Sequence, residues 1–239
     1  MSAKKPKSYK KSTTLKNPYH LNAPWPSMRG DVKNSGRLKD LIWKNPGITP
    51  RVTYFRTENA IFSTPIIDAE ERVFVGSADH KFYSFDPHEG VEIWEHELSE
   101  IIDSAGCVDE DGTIYVADWG NNRVQILSSD GTPLRTFGTR GIAPGCLRGP
   151  TGICLEEGGY LLVVDSQNDR VQRYRRDGRL VSVLPEAKGM GAFTKPFSAA
   201  LDPSGVVYVT ERDRHGILVL QQVWEEEYLS DLSFTNLGE

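Results

Sequence analysis

The chain has 239 residues, an apolar fraction of 38%, 22 glycines and 14 prolines, which suits one folded unit of short strands and many turns better than a two-domain α/β enzyme. Its net charge of −5 is unevenly distributed, because residues 1–20 hold six of the 28 basic side chains and no acid, which leaves 22 basic against 33 acidic side chains elsewhere. So acidic a body repels a nucleic-acid backbone, which disfavours nucleic acid as a partner.

The first segment, residues 1–23, is predicted to be a disordered lysine-rich tail, because it combines positive charge with no apolar periodicity. No apolar run typical of a signal peptide follows the lysines, and no stretch is long and apolar enough for a membrane span. We therefore expect a cytoplasmic protein. The folded domain is expected at 24–230 and a C-terminal tail at 231–239.

A β-rich run, RVTYFRT, predicts a strand at Val52–Thr57. After it, one sequence pattern recurs four times at intervals of 41 to 47 residues. The copies begin at Ile66, Cys107, Cys154 and Ala200. A period of this length, built from short strands, is typical of the blades of a propeller.

Each copy predicts three strands. An acid two residues into the copy, followed in three copies by a glycine, predicts a hairpin turn; the acids are Asp68, Asp109, Glu156 and Asp202. The second strands share a column of large apolar residues, namely Phe74, Tyr115, Leu162 and Tyr208. The third strands are predicted at Lys81–Phe85, Arg123–Leu127, Arg170–Tyr174 and Ile217–Leu220. A turn containing glycine and an outer strand follow the first three copies.

The pattern therefore predicts an all-β fold, a β-propeller of about four four-stranded blades. The last copy lacks an obvious outer strand, and we expect Val52–Thr57 to supply it and so to close the ring. Two alternatives remain open. The segment QVWEEEYLSDL could supply the strand itself. Alternatively, the four blades could be a fragment of a six-bladed ring that is either completed by a homo-oligomer, through dimerisation, or truncated.

The three cysteines, Cys107, Cys146 and Cys154, are odd in number and have no CxxC spacing. They indicate neither a disulfide framework nor a zinc site, and two of them fall in the innermost-strand column as small apolar residues. No metal and no cofactor is predicted.

Residues 103–220 resemble NHL repeats. The runs IYVADWGNNRVQIL and LLVVDSQNDRVQRY match that family's Val-x-Asp-x-x-Asn-x-Arg-Val-Gln pattern, which decays in the last copy. Residues 24–106 instead resemble PQQ-type propeller repeats of quinoprotein-like proteins, with PWPSMRGDVKNSGR as the segment before the first blade and FDPHEGVEIW as the tryptophan docking motif. This resemblance implies that Trp94 packs between blades; it implies architecture, and no bound quinone is expected.

In a propeller, the loops before the innermost strands and the loops between the second and third strands share one face. The expected ligand-face residues are Asp103, Trp119, Asn121, Asn122, Gln167, Asn168, Arg212, Arg214 and His215. Their mixture of aromatic, amide and charged groups suits a protein or a polar small ligand.

Asp118 and Asp165 each stand five residues before an arginine. Because the arrangement recurs in successive copies, we expect it to order the hairpin rather than to catalyse. The leading hypothesis is a non-catalytic binding or scaffolding module. The alternative is a metal-dependent hydrolase or lyase like the gluconolactonase or amidating-lyase propellers, with Asp103, Asp118, Asp165 and Glu211 as candidate ligands.

Overall fold

The computed structural model describes residues 54–102, 104, 106–184, 193–202 and 205–220. The strands of these ranges are β1 Ile66–Ile67, β2 Val73–Gly76, β3 Lys81–Asp86, β4 Val91–Glu97, β5 Gly106–Val108, β6 Ile114–Asp118, β7 Arg123–Leu127, β8 Pro133–Phe137, β9 Pro150–Glu156, β10 Tyr160–Asp165, β11 Arg170–Arg175, β12 Leu180–Leu184, β13 Pro196–Leu201, β14 Val207–Glu211 and β15 Gly216–Leu220. A short 3-10 turn spans Ser166–Asn168. The predicted tails at 1–23 and 231–239 lie outside the described residues. No helix in the described ranges has the length and apolar character needed to cross a membrane.

The strands form four separate antiparallel sheets, each made of strands consecutive in the chain. They are β1–β4, β5–β8, β9–β12 and the three-stranded β13–β15. Each sheet corresponds to one copy of the sequence pattern, and the predicted third strands agree with the observed ones to within a residue at either end.

The turns between first and second strands are built by the predicted acids. Asp109 Oδ1 accepts the backbone N–H groups of Asp111 at 3.0 Å and Thr113 at 2.9 Å, and Asp68 makes the equivalent pair of bonds. Glu156 instead accepts two bonds from an arginine side chain of its own sheet. These carboxylates therefore stabilise the hairpin turns and the sheets by hydrogen bonds.

Buried apolar side chains fill the space between consecutive sheets. In the second-strand column, Phe74, Tyr115 and Leu162 are each at most 3% exposed and pack against the following sheet. The next residues in the chain alternate to the other face, so Val163 packs against the second sheet and Val209 against the third. The described residues are therefore four consecutive blades of a β-propeller, numbered 1 to 4 in chain order.

Two cysteines belong to these cores, as predicted. Cys107 and Cys154 are buried in the innermost strands, and burial raises the pKa of both thiols well above the ordinary value. Cys146 lies half-buried in the loop before blade 3, and all three thiols are free.

An aromatic residue on an outer strand joins each of the first two blades to the next. The Trp94 ring on β4 lies where a Cβ on Gly131 of blade 2 would be only 2.6 Å from it. Phe137 on β8 packs in the same way on blade 3, because a Cβ on Gly178 would lie only 2.7 Å from Phe137 Cβ. The Phe137 ring centroid is 4.7 Å from that of Tyr174. The prediction that Trp94 anchors one blade to another is confirmed.

Blade 4 differs from the expected four-stranded form. Within the described residues it has three strands, and the predicted pairing of Val52–Thr57 with its third strand is wrong for residues 54–57, which are not in a strand. Phe55 instead stacks on Phe85 of blade 1, with the centroids 4.5 Å apart, and joins a cluster with Val75. The physical reason is that this face of blade 1 offers aromatic surface to bury, which a bare strand edge does not. Val52 and Thr53 lie outside the described residues.

The contact between Trp94 and Gly131 generates a prediction. Gly131 and Gly159 both have positive φ, at +83° and +84°, but nothing lies within 4 Å of a Cβ on Gly159. Gly159→Ala should lower the free energy of unfolding by about 1–2 kcal/mol through backbone strain alone. Gly131→Ala should cost a further ~1–3 kcal/mol, because its methyl group would collide with the indole. Urea unfolding of the two variants measures the difference, and equal losses would show that Trp94 moves aside freely.

Candidate functional site

The turns between second and third strands and the segments leading into the innermost strands share one side of the blades. Backbone bonds join them: Gln167 N–H donates to the Arg148 carbonyl, and Arg212 N–H donates to the Lys195 carbonyl, both at 3.1 Å. We call this side the loop face. It comprises residues 58–63, 79–80, 119–122, 148–151, 166–169, 195–197 and 212–215.

In blade 2, a buried carboxylate organises the turn of the loop face. Asp118 ends β6 with no exposed surface, and it accepts a bond from Arg123 Nε at 2.8 Å. Asn121 Nδ2 donates to both oxygens of the same carboxylate, at 2.9 and 3.0 Å. The predicted structural role of the Asp118–Arg123 pair is confirmed, and Asn121 belongs to the same assembly.

Blade 3 repeats this arrangement with more bonds. The buried Asp165 accepts Arg170 Nε at 2.7 Å, Asn168 Nδ2 at 2.8 Å and the Arg148 N–H at 2.6 Å. Gln172 Nε2 also donates to it, at 3.0 Å. Both repeat carboxylates are thus bound by groups of the loop face and of the third strands.

Arg170 additionally holds the 12-residue loop 138–149 between β8 and β9. Its terminal nitrogens donate to the carbonyls of Ile142 at 2.9 Å, Ala143 at 2.8 Å and Cys146 at 2.7 Å. Within the described residues, Arg123 hydrogen-bonds Asp118 alone. The same sequence position therefore carries very different numbers of contacts in the two blades.

A second repeated position links neighbouring blades across the loop face. Asn122, with φ +56°, accepts the Gly149 N–H on Oδ1 at 3.0 Å. Asp169, with φ +54°, accepts the Lys195 N–H at 2.9 Å. His215 occupies the same position in blade 4, with φ +53°, and is exposed.

The predicted ligand-face residues therefore separate into two groups. Asn121, Asn122 and Asn168 use their amides to hold loops together. The others described are exposed: Trp119, Gln167, Arg212, Arg214 and His215. Asp103 lies outside the described residues.

An aromatic–cation pair extends the exposed group in blade 4. The Arg212 guanidinium lies over the ring of Phe197, 5.3 Å from its centroid, and Phe197 is 40% exposed. Arg214 lies 3.6 Å from the buried carboxylate of Glu211. This end of the loop face offers an aromatic ring beside two cations.

One exposed side chain of this side was missed by sequence reasoning. Ile142, at the middle of the loop that Arg170 holds, is 77% exposed. Its loop is glycine-rich and longer than a tight connection, which was the available signal. The bonds that order it come from Arg170 on β11, more than twenty residues further along the chain, and no local sequence pattern predicts them.

Of the acids named for the enzyme alternative, the three that are described do not converge, and Asp103 lies outside the described residues. Asp118, Asp165 and Glu211 end the second strands of three different blades, and Glu211 accepts the Thr194 N–H at 2.6 Å. Across the described ranges, no three His, Cys, Asp or Glu side chains are grouped so as to hold a metal ion.

A cleft of about 400 Å³ lies at the opposite end of blades 1 and 2, beside the acid-led turns. Burial raises the pKa of Asp68 and Asp109, against the lowering effect of their bonds to backbone N–H groups and of Arg72 and Arg176. These acids are committed to their turns and arginines, so the cleft is no better a candidate than the loop face.

Comparison with known proteins agrees with this architecture. Residues 107–127 match the family model described as NHL repeat, whereas the PQQ-type resemblance of residues 24–106 stays a prediction. Among curated proteins, none matches the chain.

Solved structures of similar fold include two sets of WD40 repeats and a designed protein. The WD40 β-propeller domain of Doa1 has 14% identity and a TM-score of 0.55, over 70% of this chain and 53% of that one. The RRP9 WD40 repeats have 15% identity and a TM-score of 0.50, over 71% and 53%. The computationally designed Ika4 protein has 11% identity and a TM-score of 0.53, over 70% and 94%. The chain thus matches about half the length of the two WD40 structures, and at these identities the likeness shows the fold alone.

The unequal contacts of the two repeat arginines predict unequal effects of one substitution. Arg170→Lys should destabilise the protein by about 2–3 kcal/mol, because a point charge cannot reproduce a guanidinium that bonds one carboxylate and three carbonyls. Arg123→Lys, the matched control, should cost about 1 kcal/mol or less. Loosening of the loop should also raise the reaction rate of the Cys146 thiol with a thiol reagent in Arg170→Lys only. Equal rates and equal stabilities in the two variants would contradict the assignment.

Proposed function

We propose that this chain is a non-catalytic propeller module that binds a protein partner on its loop face. The observation that carries the proposal is the exposure of Trp119, together with the Phe197–Arg212 pair, on loops that buried bonds hold in place. Large aromatic residues and arginine dominate binding free energies at protein interfaces.

The order of the loops supports this proposal. Trp119 lies between the buried Asp118 and the Asn121 amide that bonds it, so the turn that presents the indole is fixed before binding. A pre-ordered surface loses less conformational entropy on association than a mobile one. Other exposed polar side chains of the loop face, Gln167 and Arg214, would supply the polar rim that such interfaces have.

A polar small ligand is the competing occupant of the same face, and it would use the same exposed groups. We further propose a cytoplasmic setting, with which three free thiols accord. The acidic body remains the argument against nucleic acid.

The proposal predicts which exposed residue a partner needs. Quantitative pull-downs should compare the full-length parent with Trp119→Ala and with Leu134→Ala, a control that removes a 53% exposed side chain from outer strand β8. We expect at least one protein that the parent and the Leu134→Ala variant retain, and that Trp119→Ala retains about 30-fold less strongly, as for an interface hot spot.

Purified partner and chain should then bind directly, with the same ranking of the three proteins in a titration. Equal retention by Trp119→Ala and Leu134→Ala would contradict a loop-face site. Retention of only low-molecular-weight compounds, detected by mass spectrometry of the native protein, would favour the small-ligand alternative.

A further inference from the structure

Charged side chains divide the loop face, and the loops that connect consecutive blades on this side, into an acidic half and a basic half. The blade 1 side carries three acids and no lysine or arginine; the acids are Glu58, Asp79 and Glu100. From loop 138–149 onward, the described segments carry five basic side chains against the two acids Asp169 and Asp213. The basic residues are Arg140, Arg148, Lys195, Arg212 and Arg214. A partner that covers this face therefore meets two different electrostatic environments.

On the blade 1 side, an acid adjoins the turn that carries Trp119. Ser99 Oγ donates to Asn121 Oδ1 at 2.8 Å, which joins the segment before blade 2 to this turn. A Cβ on Gly120 would lie only 2.4 Å from the Cβ of Glu100, so the two segments are in direct contact. The Glu100 side chain is exposed.

On the blade 3 side, Arg148 adjoins the same turn. Asn122 Oδ1 accepts the N–H of the next residue, Gly149, at 3.0 Å. The Gln167 N–H donates to the Arg148 carbonyl at 3.1 Å, and a Cβ on Gly149 would lie 2.5 Å from Gln167 Nε2. Arg148 therefore lies between the turn of blade 2 and the exposed amide of blade 3, and Trp119 stands at the boundary between the two halves.

The backbone of Arg148 is fixed, whereas its guanidinium is available. Its N–H donates to the buried Asp165 at 2.6 Å. The guanidinium groups of Arg123 and Arg170 bind buried carboxylates. That of Arg148 is exposed and forms no ion pair with the described residues. The site thus offers an arginine fork, without an acid of its own, beside an exposed indole.

Blade 4 repeats this combination of an aromatic ring and an arginine. Arg212 lies over Phe197 and likewise forms no ion pair with the described part of the chain. Thr151 Oγ1 donates to the Phe197 carbonyl at 2.7 Å, which joins this end of the face to blade 3. The basic half therefore extends from Arg148 across the junction of blades 3 and 4.

We propose that the loop face takes an acidic segment of its protein partner, with a carboxylate on Arg148 and an apolar side chain on Trp119. The inference rests on the proposed function and adds the chemistry of the partner to it. A guanidinium can donate two parallel hydrogen bonds to one carboxylate. An ion pair in water contributes little, but the indole and the bound segment exclude water from this one, which strengthens it.

The acidic half sets the direction in which the segment lies. A carboxylate beside Glu100 is repelled, whereas one beside Arg148 is attracted, so the acids of the segment lie on the blade 3 side of its contact with Trp119. A nucleic acid carries a charge on every nucleotide and would place phosphates over both halves. A peptide can carry its acids on one side only, and it therefore matches this division of charge.

Random peptides displayed on phage and selected on the full-length chain provide the probe. We expect the selected peptides to carry Asp or Glu close to an aromatic or aliphatic residue. One of them, synthesised with a fluorescent label, is then titrated with each variant by fluorescence polarisation. Arg148→Gln should weaken its binding about tenfold, because a hydrogen-bonded ion pair is lost.

Two control variants keep this result specific. Arg179→Gln removes an exposed arginine between β11 and β12, at the opposite end of blade 3, and should leave the affinity unchanged. Glu100→Gln removes a charge of the other sign beside Trp119 and should not weaken binding, because it relieves repulsion. Circular dichroism confirms that each variant is folded.

The peptide itself supplies the other half of a double-mutant cycle. Replacement of its acid by the corresponding amide should weaken binding to the parent about tenfold. The same replacement should have little effect on binding to Arg148→Gln, because the two changes remove one interaction.

The outcomes separate this proposal from the proposed function. Selected peptides that need Trp119 but show no excess of acids would overturn it and leave the loop-face site intact, and so would equal affinities of Arg148→Gln and Arg179→Gln. Peptides that bind Trp119→Ala as tightly as the parent would contradict the loop-face site itself. Failure to select any peptide would overturn the acidic segment. A labelled single-stranded RNA oligonucleotide that binds with the same dependence on Arg148 would also overturn it, because phosphate would then be the anion.

Discussion

The structure depends on one constraint: a blade of this size has two apolar faces and cannot cover either of them by itself. Each sheet is stable only because its neighbours supply the missing surface, and the outer-strand aromatics make this dependence specific. Trp94 and Phe137 each extend from one blade onto a glycine of the next, at Gly131 and Gly178, where no other residue would leave room for the ring. This contact occurs at the junctions of blade 1 with blade 2 and of blade 2 with blade 3.

On the loop face, polar residues that look alike in the sequence have different roles, because some hold the turns and others remain exposed. Asn121, Asn122 and Asn168 are the polar groups that a binding site would be expected to use, yet their amides bond Asp118, Gly149 and Asp165. Trp119 and Arg212 contribute backbone bonds to the turns, whereas their side chains remain exposed. The loop face is therefore a rigid polar frame that carries a small number of aromatic and cationic side chains.

The strands, the acid-led turns and the buried roles of Asp118 and Cys107 could be predicted because every blade packs in the same way, so the same residue types recur at similar intervals in the sequence. Features that occur in one blade alone could not be predicted. The ordering of loop 138–149 depends on bonds from Arg170 of β11 to carbonyls of that loop. The position of residues 54–57 depends on aromatic surface that only the assembled blade 1 presents. Both arise from contacts between distant parts of the chain that leave no periodic trace.

Three of the apolar clusters join consecutive blades, the first to the second, the second to the third and the third to the fourth. This arrangement has a consequence for the local opening of the molecule. Cooperativity must pass from blade to blade along a line, as in other repeat proteins, rather than through a common centre. Blades 2 and 3 each pack against a neighbouring blade on both faces, whereas blade 4 packs against blade 3 alone among the described residues. Amide protons of β14 and β15 should therefore exchange with solvent through local openings of blade 4 that leave blades 2 and 3 folded. A molecule that binds the side of blade 4 facing away from blade 3 would make these openings rarer.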